Sequence, residues 1–183
     1  MFKKFQRIAL SFAVPVLLLA LAQTGMAVPA QGSSNKRSPD LQDRVRHSIL
    51  MLPYYGVFDR LTFNLDDSTV ILSGEVRWAY LKNEAAWAVS HTPGVTKVIN
   101  KIEILPVSSY DDAIRWRTYL AIFSQPGMWK YRIQVAKPIR IIVKNGHVTL
   151  YGIVNSNFDR QLAYMAADRV PSVFSVTNDL KVG

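Results

Sequence analysis

Apolar and polar positions alternate in two short stretches of the chain, and each is joined by a polar turn to a second alternating stretch. In residues 60–65, Leu61, Phe63 and Leu65 point one way. After the turn Asp66, Asp67 and Ser68, the run 69–76 places Val70 and Leu72 on one face, with Val76 a further candidate. Two such runs across a short turn read as a β-hairpin. Residues 139–143 and 147–154 repeat the arrangement around Lys144, Asn145 and Gly146, which tolerate positive φ in a tight turn. Between and around the hairpins the period changes to that of a helix. Leu41, Val45, Ile49 and Leu52 make one stripe over 41–52, with Asp40 as N-cap. Trp78, Leu81, Ala85, Ala88 and Val89 make the inner face of a helix over 78–91, stopped by Pro93 and Gly94. A helix over 111–123 is given a core stripe of Trp116, Leu120 and Phe123, and another helix covers 158–169. Strands over 95–104 and 173–182 close the two blocks.

The blocks are copies. Moving residues 66–104 along by 78 positions lays them on 144–182 without a gap. Val70, Leu72, Gly74 and Val76 then meet Val148, Leu150, Gly152 and Val154, and Pro93, Val98 and Asn100 meet Pro171, Val176 and Asn178. A fixed offset that keeps every pattern position marks an internal duplication. The fold class is therefore α+β: two tandem α-β-β-α-β modules, each a small three-stranded mixed sheet with two helices on one face. Gly74 and Gly152 sit inside strands, where a backbone passes close or bulges. Asn100 and Asn178, equally placed in both copies, point to a structural hydrogen bond.

The copies resemble the BON domain, named for bacterial osmotically inducible and nodulation proteins. The likeness rests on Gly146 to Val154, Arg160, Ala163, Val173, Val176, Asn178, Leu180 and Val182, and in the first copy on Val70, Leu72, Gly74, Val76, Ala85, Gly94, Val98, Asn100 and Ile102. A signal followed by two such domains is similar to the dual-BON envelope proteins. That resemblance implies a non-enzymatic periplasmic module associated with phospholipid binding, envelope integrity and osmotic stress. Three features depart from the family pattern: Ser172 where a glycine is usual, Asp66 to Ser68 as the first turn, and a long extension over 125–138.

The amino terminus stands apart from the repeat. Lys3, Lys4 and Arg7 precede an apolar run from Ile8 to Ala22, and Gly25 and Ala27 supply small residues. This layout is that of a secretory signal peptide, residues 1–27, cleaved after Ala27, with Ala22 and Ala30 as alternatives. The run is shorter than the ~20 residues that span a bilayer. Residues 28–40 read as a flexible linker, 41–105 as the first domain, 106–110 as a linker and 111–183 as the second domain. The expected location is periplasmic or secreted. The chain has no cysteine, which excludes disulfides, thiolate metal sites and cysteine lipidation.

Of the formal charge of +9, three positive charges belong to the signal. The remainder, about +6, favours anionic surfaces. In that compartment these are phospholipid head groups or acidic glycans, not nucleic acid. Besides the stripe, the helix over 111–123 carries Ile114, Ile122 and, at its border, Tyr119. Apolar residues beyond what a core needs must be covered by something. One cover is the other domain. The other is a membrane, with Arg115, Arg117, Lys130 and Arg132 at the head groups and Met128, Trp129 and Tyr131 at the interface. Trp87 and Tyr80, on the outer face of the helix over 78–91, are partner anchors or contacts with the other domain. The rival to lipid is an envelope-protein scaffold role. Catalysis finds little support: His47, His91 and His147 lie far apart, no HExxH or phosphate-cradling loop occurs, and no cofactor or metal is implied.

Overall fold

Both hairpins form where the alternation places them. The computed structural model describes residues 40–134 and 136–183; the signal peptide and most of the linker read from the sequence lie outside them. The order of elements is α1 (Leu41–Leu50), β1 (Arg60–Asp66), β2 (Thr69–Val76), α2 (Ala79–Ser90), β3 (Lys97–Asn100), β4 (Glu103–Ile104), α3 (Ser109–Phe123), α4 (Trp129–Arg132), β5 (Ile139–Lys144), β6 (His147–Val154), α5 (Asn157–Asp168) and β7 (Ser175–Val182). In the first module β1 pairs antiparallel with β2, which pairs parallel with β3 and β4. In the second, β5 pairs antiparallel with β6, and β6 parallel with β7. The parallel pairs need a crossover, and α2 and α5 supply it. The chain is α+β with the module repeated.

The repeat positions do the same work in both copies. Asn100 Nδ2 donates to the Lys82 carbonyl, and its Oδ1 accepts from the Ile102 amide. Asn178 does the same with Arg160 and Leu180. The expected structural hydrogen bond is therefore one bond from the last strand to the crossover helix, with a second that ties the asparagine to the amide two residues on. The predicted strand over 95–104 is split after Asn100 into β3 and β4. Ser172 has φ +76° where Gly94 has +97°, so the serine stands in a left-handed position.

Some terminal details differ from the periodicity. Asp40 makes no side-chain cap on α1. Trp78 precedes the first turn of α2 instead of joining its inner face and is half-exposed under the Arg77 guanidinium. The helix expected from Asp111 starts at Ser109, because Ser108 Oγ accepts from the Asp111 amide.

Two cores result. Val45, Ile49, Leu72, Leu81, Ala85 and Ile102 fill the first. Ile114, Ile122, Met128, Tyr131, Ile141 and Leu150 fill the second, together with Phe58 of the first module. Next to Phe58 the Val57 carbonyl accepts from the Ile141 amide at 2.8 Å, which occupies part of the β5 edge.

Candidate functional site

α3 is rotated relative to the stripe that hydropathy assigns. Its buried residues are Asp111, Ile114, Arg115, Thr118, Ile122 and Phe123. Three of these are polar, and each position has a physical reason or a cost. The Asp111 carboxylate accepts from the Asn145 and Gly146 amides, clipping the β5–β6 turn. Arg115 donates to the Val143 carbonyl at 2.6 Å and to Asp112 at 2.7 Å. Thr118 Oγ1 is buried without a hydrogen-bond partner among the described residues. Ile114 and Ile122 therefore lie in the module's own core and face neither a membrane nor the other domain, and Arg115 is spent internally. Trp116 and Leu120, expected inside, are 54% and 62% exposed. Phe58 reaches in from the first module and meets the Trp116 ring edge-on, with centroids 5.1 Å apart, and the half-buried Tyr119 at 6.1 Å.

The extension after α3 divides in the same way. Met128 and Tyr131 are core residues. Tyr131 Oη donates to Asp159 at 2.6 Å and accepts from the Asn155 amide at 2.8 Å, which ties α4 to the start of α5. Lys130 Nζ completes the cluster at 2.9 Å from Asp159. Burial pushes the Asp159 carboxyl up, but hydrogen bonds from Tyr131, Lys130 and Ser156 outweigh it and hold the group below the usual carboxylate range. Met128, Tyr131 and Lys130 are thus committed to the fold. Trp129, Arg132 and Ile133 stay exposed.

Beside the exposed Leu120 face, α3 and α5 border a groove of about 250 Å³. Ala121, Leu162, Met165 and Val170 line it, and Arg117 and Arg169 are its two charges. Neither arginine has an ion-pair partner among the described residues. Sequence reasoning missed Arg169, Trp116 and Leu120 as surface residues. A helical phase set by Ile114, Thr118 and Ile122 would have turned the last two outward.

In the first module Trp87 is 60% exposed and stacks on the His91 ring at 4.4 Å. Tyr80 donates to the Pro53 carbonyl and meets the Tyr54 ring edge-on. Among the described residues no group of His, Cys, Asp or Glu could hold a metal ion, and no helix is long and apolar enough to cross a membrane.

The fold is a tandem α+β module. The model of the BON domain matches residues 41–106 and 132–183, and the chain belongs to the BON-domain family, whose members are envelope-associated binding modules. The expected resemblance is thereby established for both copies. No curated protein matches the chain. Among solved structures it is similar to the C-terminal domain of CdsD, a structural protein of the type III secretion system of Chlamydia trachomatis. That match has 15% identity, covers 78% of this chain and 96% of that one, and has a TM-score of 0.29. A second structure of CdsD matches with 14% identity over 79% and 93% of the two chains, at a TM-score of 0.28.

Proposed function

We propose that the protein is a non-enzymatic module of the cell envelope, exported by its signal peptide, that makes peripheral contact with anionic phospholipid through its second domain. The observation that carries this reading is the outer face of α3. Trp116 and Leu120 are exposed there, next to a groove bordered by Arg117 and Arg169, two cations with no carboxylate partner among the described residues. Aromatic and aliphatic side chains flanked by arginines suit the interface of an anionic leaflet. Each cation near such a surface contributes about 1 kcal/mol. Arg117, Arg132 and Arg169 together supply about 3 kcal/mol, weaker than millimolar affinity. Burial of Trp116, Leu120 and Trp129 must add to this, and binding is reversible and salt-sensitive.

Co-sedimentation of residues 28–183 with vesicles tests it. Anionic vesicles should pull down the protein at low salt, zwitterionic ones should not, and high salt should release it. Arg117→Gln with Leu120→Ser should cut binding at least about tenfold while the melting temperature stays nearly unchanged, since both side chains are on the surface. Absence of binding at low salt would sink the reading. A second reading, an envelope-protein partner on α2, is favoured by the exposed Trp87. Photo-cross-linking from position 87 in cells examines it.

A further inference from the structure

We infer that the cleft between the two modules is a binding site for a phosphate-bearing ligand, with Arg140 at its floor and Arg60, Lys137 and Lys181 on its walls. The site arises from strand alternation. Ile139, Ile141 and Val143 of β5 point into the second core, so Arg140 projects from the opposite face of the sheet, toward the first module. Arg140 is only 9% exposed, and it has no carboxylate within ion-pair distance among the described residues. Its partners are the Gly56 carbonyl and the face of Tyr55, 4.1 Å from the guanidinium carbon. A buried charge is ordinarily paired. Asp59, also buried, acts on Arg140 electrostatically, but its own oxygens accept from the Gly56 and Arg77 amides.

The cleft that Arg140 enters has a volume of about 560 Å³, within the range of small-ligand sites. Arg60 lies 4.0 Å over the Tyr151 ring on one wall, and the nearest carboxylate to it, Glu75, stands at 3.5 Å. Lys137 donates to the Arg132 and Gln134 carbonyls at 2.8 and 2.9 Å and has no ion pair among the described residues. Lys181 has no ion pair among the described residues. Asp179 is the acidic side chain in the lining. Four cations thus face two carboxylates, Asp179 in the lining and Glu75 paired with Arg60, and the cationic excess lies in a concave site, where field lines concentrate and anions accumulate. Two guanidinium forks held flat by tyrosine rings, with two ammonium groups beside them, match a tetrahedral anion with several acceptor oxygens.

The test is a titration of the purified protein with inorganic phosphate at constant ionic strength, with chloride as control. A parallel arm uses a short-chain phosphatidylglycerol below its micelle concentration. Saturable phosphate binding is expected, weakened at least about tenfold in Lys137→Gln with Lys181→Gln, and retained in Arg117→Gln with Leu120→Ser. Lys181 is exposed and Lys137 half-buried with two backbone carbonyls as acceptors, so an unchanged melting temperature is the check that the double variant keeps the fold. If the phospholipid binds and competes with phosphate, the natural ligand is a head group. If phosphate binds alone, it is a soluble phosphate compound. Either result supports the site. No saturation beyond the chloride control, or binding indifferent to the lysine substitutions, overturns it.

Discussion

A Cβ at Gly152 would stand 1.8 Å from the Pro138 carbonyl oxygen, and one at Gly74 would stand 2.0 Å from that of Arg60. Both glycines have φ near +120°, at +128° and +121°, where side chains are strained whatever the space. The obstacle in each case is backbone, which cannot swing away. Gly152→Ala should therefore cost about 3 kcal/mol or more, read as a fall in the urea midpoint. Ser172 is the converse case: a non-glycine residue at φ +76° on the surface. Ser172→Gly should relieve about 1 kcal/mol, and the same urea series measures it. Such strain is invisible to hydropathy, but the duplication exposes it, because Gly94 occupies the matching position in the first copy.

At the scale of elements, α4 is held by one cluster. Tyr131 donates to Asp159 and accepts from Asn155, so Tyr131→Phe removes both bonds, one of them to a charged carboxylate. The expected loss is about 1–3 kcal/mol. The pH dependence follows from the lowered Asp159 carboxyl. The folded state holds that proton less tightly than the unfolded chain, whose reference value is 3.8. Its stabilisation is present above 3.8 and is lost as pH falls through the lower folded value. Asp59 has the opposite sign. Burial raises its carboxyl against the backbone hydrogen bonds, so its contribution is complete below 3.8 and fades as pH rises through the folded value. Urea unfolding of wild type and Tyr131→Phe across the acid range separates the two. The Asp159 loss on acidification should shrink in the variant, while the Asp59 trend remains in both.

For the whole molecule the telling residue is Phe58. It belongs to the first module by chain position and to the second core by contact. Domains of this size bury only about 60% of their unfolded surface, so a shared aromatic couples their stabilities. Phe58→Ala should cost about 3–5 kcal/mol, and the loss should appear in the second module. Amide exchange in α3 and β5 should accelerate as much as exchange near the substitution. If exchange rises only around Phe58 itself, the modules are energetically independent and the coupling is wrong.

The duplication, both hairpins, the crossover helices and the role of Asn100 and Asn178 were legible in the chain, because they depend on local period and on repetition. The site was legible only in outline. Arg117, Trp129 and Arg132 are exposed as expected, whereas Ile114, Arg115, Ile122, Met128 and Tyr131 are buried. Hydropathy assigns the inner face of a helix to its apolar residues, but α3 turns Asp111, Arg115 and Thr118 inward. The partners that make Asp111 and Arg115 acceptable there, the amides of Asn145 and Gly146 and the Val143 carbonyl, come from a hairpin about thirty residues away. They exist as partners only once the sheet has formed. The phase of α3, the surface it leaves to Trp116 and Leu120, and the burial of Arg140 between modules were therefore decided by the tertiary structure alone.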